Sequence, residues 1–306
     1  KNKINTHKSL KFINVSNTDL LSKKISTLDI LLTYEITPSI FNNATDRLKW
    51  IHFGVAGVEK NLFSELIKSK VILTNCSGIH AGPVSEFIMG SILYHCKQFK
   101  KCESFKNNRD WKQWEIAKTM VQLNQKTLGI IGYGAIGKAT AKLAKQFGME
   151  VIATRRLQKT ITHNRSIDSL IPLSEIKNLY QNSDFIAITC PLTPMTKHMI
   201  SFNEFKLMKE NVYIINIARG GIIDDAALIN ALEKNKISGA ALDVFNQEPL
   251  DVDHPYFKFD NVFLSPHISG NFPEYQSYMI NQFIEHLQCF INEKPLKNRI
   301  CKKRLY

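Results

Sequence analysis

No run of apolar residues in this chain approaches the roughly 20 that a membrane-spanning helix needs. The basic start "KNKINTHKSLKFINVS" leads into a short apolar run and lacks the h-region of a secretory leader. The cysteines Cys76, Cys96, Cys102, Cys190, Cys289 and Cys301 form no C-x-x-C pair and no cluster with histidine at ligand spacing. That argues against a disulfide framework and a zinc site. They read as free thiols in a reducing compartment, so a cytoplasmic setting and no metal are expected. Acids are scarce beside bases, 27 against 40, leaving a net charge of +13. A basic surplus raises the question of nucleic acid. Yet the lysines are scattered, and the one dense cluster is the tail "KNRICKKRLY". Neither a nucleic-acid nor a membrane partner is expected; a diffuse positive field can instead draw in small anions.

What is present is alternation. "KFINVS", "DILLTY", "KWIHFG" and "VILTNC" read as strands, with a helical pattern in "GVEKNLFSELIKSK" between the last two. A long helix is expected over "GPVSEFIMGSILYHCKQFKKCESF", then a polar, aromatic stretch "KNNRDWKQWEIAKTMVQLNQK". The alternation resumes with "TLGIIG", "EVIAT", "DFIAIT", "VYIINI", "GAALDV" and "VFLSPH" as strands. Ser201 and Glu204 form a capping-box pattern, and Asp224 or Asp225 can cap the next helix. In the last segment Phe272, Tyr275, Met279, Phe283, Leu287 and Phe290 recur at helical spacing. Strands alternating with helices predict an α/β chain of two doubly wound parallel-sheet domains. The expected division inserts a domain of 97–269 into one of 1–96 and 270–306; the glycine turn and the family resemblance given below imply a dinucleotide-binding Rossmann domain for the first and a flavodoxin-like substrate domain for the second.

The stretch "TLGIIGYGAIGKATAKLAKQFG" is a strand, a glycine turn and a helix. Gly132, Gly134 and Gly137 give G-x-G-x-x-G: a tight turn, a close approach for pyrophosphate, and close helix–strand packing. The helix N-terminus offers free N–H groups to phosphate. In this fold an acid about 20 residues on holds the ribose hydroxyls of NAD. Residues 152–156 contain no acid; Arg155 and Arg156 stand there instead. Arginine can hold a 2′-phosphate that a carboxylate would repel, so NADP(H) is the expected cofactor, with NAD(H) possible.

Four further stretches, "PLTPMTKHMI", "INIARGGIIDDAALINAL", "GAALDVFNQEPL" and "SPHISG", follow in one order. With the glycine turn they resemble the D-isomer-specific 2-hydroxyacid dehydrogenase family, especially its glyoxylate/hydroxypyruvate reductase branch. Reducing a 2-keto acid takes a hydride, a proton for the carbonyl oxygen and a cation for the carboxylate. Arg219 follows the strand "VYIINIA" and His267 follows "VFLSP", at the strand ends where open sheets bind ligands. Histidine titrates near neutrality and can donate the proton; a carboxylate such as Glu248 would orient it.

The resemblance implies that Arg219, Glu248 and His267 are the catalytic set. It implies that Arg219 and His267 also contact substrate and cofactor. Ala135 and Ile136 are expected on the pyrophosphate, and Asp243 on the nicotinamide carboxamide. Ile217 and Ala218 are expected along the nicotinamide side, Pro191 and Thr196 along the adenosine side, and Gly270 in contact with the cofactor. Val55, Ala56 and Gly57 match a family loop whose amides hold the substrate carboxylate, a plausible anion nest. The segment "RDWKQWEI", with Trp111 and Trp114, corresponds to an arm that packs on a second subunit, so a homodimer is expected. The implied activity is NADP(H)-dependent reduction of a small 2-keto acid to the D-2-hydroxy acid. Two alternatives remain open: another specificity of the family, of the phosphoglycerate or phosphonate type, or a non-catalytic dinucleotide-sensing corepressor on the same fold.

Overall fold

The structure is a computed structural model, and it describes residues 10–304. The chain divides into two compact units. One holds the described residues up to Ile79 and from Phe272 on; the other is His80–Asn271.

In the first unit three parallel strands, β1 (Ile30–Thr33), β2 (Trp50–Phe53) and β3 (Ile72–Asn75), lie in the order β1-β2-β3. β2 is buried along its whole length, as a central parallel strand covered on both faces should be. Leu31, Ile51, Phe53 and Leu73 pack into one apolar cluster with Ile25, Ile36 and Leu66. Trp50 faces the other way and meets Phe283 and Leu287 of the helix Tyr275–Ile291, which carries the helical stripe read from the sequence. "KFINVS" is not a strand. Residues 11–16 pair with no strand among the described residues; Phe12 and Ile13 lie exposed, and Val15 alone of the run packs, partly buried, against the apolar cluster.

In the second unit eight strands form one sheet. They are β4 (Thr127–Ile131), β5 (Glu150–Arg155), β6 (Thr162–Asn164), β7 (Ile167–Pro172), β8 (Phe185–Ile188), β9 (Val212–Asn216), β10 (Ile237–Leu242) and β11 (Val262–Leu264). Their order is β11-β10-β9-β8-β4-β5-β7-β6, parallel except for β6. From β7 to β10 this is the 3-2-1-4-5-6 order of a dinucleotide-binding sheet, reversing between β4 and β8. Strand period splits the sheet between two cores: Phe185, Ala187, Tyr213 and Ile215 face one, and Ile186, Ile188, Val212 and Ile214 the other.

Further features differ from the sequence reading. β6 and β7 went unread, because "THNRSIDS" is polar and β6 is exposed. The long helix is two helices, Ala81–Cys96 and Phe99–Asn108, divided at Gln98, whose φ of 55° is left-handed. Ala81–Cys96 groups with the second unit, whereas the sequence division fell after residue 96. Val84, Ile88, Met89 and Ile92 on its inner face bury in that unit's core. The capping box at Ser201/Glu204 forms, and Asp224 caps Asp225–Glu233.

Candidate active site

The glycine turn lies at the point where the strand order reverses, at the carboxyl ends of β4 and β8. A dinucleotide fits it on the structure's own terms. Gly132 has φ of 109°, and its amide and that of Tyr133 both donate to the Thr154 carbonyl, drawing the turn onto β5. At Gly137 an added Cβ would fall 2.4 Å from the Gly132 carbonyl oxygen, so the helix Ala135–Gln146 sits too close to the turn for any side chain. At Gly134 a Cβ would meet nothing within 4 Å, leaving open space where a pyrophosphate would approach. Gly134 caps this helix without a side chain, so the first-turn N–H groups, those of Ala135 and Ile136 included, remain for phosphate. Arg155 ends β5 with Arg156 beside it; both are exposed.

The other expected residues sit beyond β8, β9, β10 and β11 on the same sheet edge. Pro191 and Thr196 belong to a self-closed loop in which the Thr196 hydroxyl donates to the Pro191 carbonyl at 2.7 Å. Ile217 and Ala218 follow β9 and are buried. Arg219 comes next, its Nη1 donating to the Ala218 carbonyl at 2.6 Å. Asn216, nearly fully buried, ties this turn: its amide donates to the Arg219 carbonyl and its oxygen accepts from Ala218 N. A Cβ on Gly220 would lie 2.0 Å from the Phe245 carbonyl carbon. Only glycine lets the arginine turn lie against the loop that leads to Glu248.

His267 Nδ1 faces Glu248 Oε2 at 2.8 Å, and the other Glu248 oxygen accepts from Phe245 N at 3.0 Å. Burial pushes the Glu248 carboxyl up. The hydrogen bonds from His267 and Phe245 N, with the charges of His267 and Arg219, outweigh it and hold the group below its ordinary value. With Nδ1 taken, Nε2 is the ring nitrogen left for a ligand. His267 has φ of 54°, an uncommon conformation for a residue with a Cβ.

Asp243 explains how that conformation is held. It is fully buried; Oδ1 accepts from Ser265 Oγ at 2.6 Å and Ile268 N at 2.9 Å, and Oδ2 from Ser269 N at 2.9 Å. The carboxylate thus clamps the loop on both sides of His267, an arrangement the sequence reading did not anticipate. Gly270 closes the loop, its carbonyl on His80 Nδ1 at 2.9 Å. In the first unit, Val55, Ala56 and Gly57 follow β2. Carbonyls of this loop accept from Cys76 N and Asn75 Nδ2, whereas the three amides donate to nothing within the described fold.

Among the described residues no cluster of three or more His, Cys, Asp or Glu side chains could hold a metal, and no helix is long and apolar enough to cross a membrane. Residues 89–269 match the family described as D-isomer specific 2-hydroxyacid dehydrogenase, NAD binding domain. The chain belongs to the D-isomer specific 2-hydroxyacid dehydrogenase family. As a member it is an NAD(P)-dependent oxidoreductase. It is similar to the glyoxylate reductase of Thermococcus litoralis, 33% identical over 285 residues that cover 92% of this chain and 85% of that one. The glyoxylate reductase of Thermofilum pendens is 35% identical over 245 residues, 78% of this chain and 70% of that one. Among solved structures, a family protein from Aeromonas salmonicida superposes with a TM-score of 0.83 at 27% identity, covering 98% of this dehydrogenase and 94% of that chain.

Proposed function

We propose that this dehydrogenase reduces a small 2-keto acid, of the glyoxylate or hydroxypyruvate kind, to the D-2-hydroxy acid, with NADP(H) as the preferred cofactor. The observation that carries the reading is the His267–Glu248 pair at 2.8 Å, with the Arg219 charge felt at the same carboxylate. The substrate class rests on the relatives named glyoxylate reductase. When bound, the reduced nicotinamide supplies a hydride to the keto carbon. His267 holds a proton on Nε2 and gives it to the keto oxygen. Glu248 fixes the ring by accepting from Nδ1 and stabilises the charged imidazole before transfer. Arg219 holds the keto acid, its planar fork suited to a carboxylate and to polarising the carbonyl. The amides of Val55, Ala56 and Gly57 are proposed as an anion nest for a substrate carboxylate.

Ile217 and Ala218 are proposed along the nicotinamide, Pro191 and Thr196 along the adenosine, and Gly270 in contact with the cofactor. Asp243 is proposed on the nicotinamide carboxamide beyond its role in the loop. The NADP(H) preference is supported by Arg155 and Arg156 at the end of β5, where an acid would select NAD. Homodimerisation is supported by Trp111 and Trp114, 76% and 70% exposed, beside a helix, Phe99–Asn108, that buries none of its residues. Six free thiols fit a cytoplasmic setting. The test is steady-state oxidation of NADPH and NADH over a panel of keto acids, with His267→Gln beside the wild type. Near-normal turnover in that variant would sink the mechanism. A preference for NADH that persists in Arg155→Ala/Arg156→Ala would sink the cofactor assignment.

A further inference from the structure

Three successive carbonyls run into the loop after β2, and each is held within the first unit. The Tyr275 hydroxyl donates to Gly54 O at 2.6 Å, the Cys76 amide to Val55 O at 3.0 Å, and Asn75 Nδ2 to Ala56 O at 2.7 Å. A peptide group is planar and trans, so its carbonyl and the next residue's N–H point in opposite directions. Fixing the carbonyls of Gly54, Val55 and Ala56 therefore fixes the N–H groups of Val55, Ala56 and Gly57. These are the three amides that donate to nothing within the described fold. The middle anchor is backbone. The outer two are side chains, and the proposed reaction gives neither a part.

Tyr275 opens the helix Tyr275–Ile291, and its hydroxyl is the last link of a buried chain. A carbonyl only accepts, so the hydroxyl proton goes to Gly54, and the Cys76 thiol donates to the phenol oxygen. Cys76 Sγ then accepts from His52 Nε2, 3.5 Å away, which leaves His52 Nδ1 to accept from Thr74 Oγ1 at 2.7 Å. Thr74 Oγ1 in turn accepts from the Trp50 indole at 2.8 Å, and an indole N–H only donates. The direction read from Gly54 thus agrees with the direction read from Trp50. Trp50, His52, Thr74 and Cys76 are fully buried, so reversing one link would strand a donor or acceptor away from water.

We propose that Tyr275 and Asn75 are positioning residues for the substrate carboxylate. They aim the Val55, Ala56 and Gly57 amides by gripping the carbonyls behind them, and the chain from Trp50 holds Tyr275 on Gly54. The inference rests on the anion nest proposed above, which by itself says nothing of what orients its amides. Neither side chain touches the substrate in this reading. Each acts through the peptide group that it holds.

The test is steady-state reduction of glyoxylate by the full chain with NADPH, in Tyr275→Phe and Asn75→Ala. Tyr278→Phe, an exposed tyrosine of the same helix, is the control. Each of the first two is expected to raise the glyoxylate KM about tenfold, the size of a lost hydrogen bond to a charged group. Turnover at saturation and the cofactor KM should stay within about twofold, because the lost contact serves ground state and transition state alike. Tyr278→Phe should change none of these. A merely structural role would lower kcat and cofactor affinity together with the melting temperature, and that outcome overturns the inference. Ala56→Pro deletes one amide outright and tests the nest by itself. If it raises the glyoxylate KM while Tyr275→Phe and Asn75→Ala do not, the positioning inference fails and the nest stands. If none of the three raises KM while His267→Gln stops turnover, the nest fails and takes this inference with it, and the catalytic assignment stands. Nitrogen NMR of the His52 ring should find its proton on Nε2; a proton on Nδ1 reverses the chain and overturns its hold on Tyr275.

Discussion

Asp243→Asn keeps the side-chain volume and removes one acceptor oxygen from the clamp around His267. The native carboxylate accepts from Ser265 Oγ, Ile268 N and Ser269 N. An amide oxygen can keep the first two donors. The amide nitrogen then faces Ser269 N–H, donor against donor, in a site with no access to water. Stranding one buried donor costs about 1–3 kcal/mol, and losing the charge on the other two bonds about 1 kcal/mol more. Holding a non-glycine residue at positive φ, as His267 is held, costs about 1–3 kcal/mol. The two quantities match, so the substitution is expected to release the loop while leaving the sheet folded. His267 then leaves Glu248, and kcat falls by about 10²–10⁴, the usual worth of a positioned acid. Melting should drop by roughly 2–4 °C per kcal/mol lost in a unit of this size. The assay is steady-state turnover at saturating cofactor and keto acid, with the cofactor KM measured beside kcat. Were Asp243 purely a carboxamide contact, cofactor KM would rise and kcat at saturation would hold. That outcome, or a kcat within threefold of wild type, refutes the clamp.

Three further outcomes are expected. Gly137→Ala forces the helix off the turn against the Gly132 carbonyl, so stability should fall by about 1–3 kcal/mol and cofactor affinity with it; unchanged calorimetric binding would contradict the close packing. His52 and His95 are lowered to about 4, first by burial and then by the charges of His286 and Lys101 respectively. Thr74 Oγ1 already receives the Trp50 indole N–H at 2.8 Å, which leaves it to donate to a neutral His52 ring. The unfolded chain takes up these protons first, so stability falls as pH drops from about 6.5 towards 4, by up to about 3 kcal/mol per histidine. NMR titration should find both rings neutral at pH 5.5; a midpoint near 6.5 for either would remove its share. Trp111→Ser/Trp114→Ser should shift sedimentation towards monomer, and a dimer of undiminished strength would place the interface elsewhere.

The central strands were readable because parallel strands covered on both faces are nearly continuous apolar runs, as in "TLGII" and "VYIIN". The glycine turn was readable from spacing alone. The catalytic candidates were readable as polar residues directly after such runs, which places Arg219 and His267 on one sheet edge. What failed to show has physical reasons. "KFINVS" has the composition of a strand and no partner to pair with. β6 is exposed and gains its place only from pairing with β7, while β7 buries Ile167, Leu170 and Ile171 between polar residues that mask the pattern. The break at Gln98 carries no glycine or proline. The grip of Asp243 on residues 265–269 depends on β10 and β11 lying side by side, a long-range fact that local pattern cannot report. Asn216 did carry a signal, an amide closing an apolar strand, which reads afterwards as a turn brace.

Asn216 and Asp243 lie at the ends of adjacent strands, each inside the protein and each gripping a turn that presents a proposed catalytic side chain. The ordering entropy of those turns is therefore met when the sheet forms and not when substrate arrives. If Arg219 and His267 act as proposed, the fold itself preorganises them, so the free energy of substrate binding can go toward the transition state instead of assembling the groups that reach it.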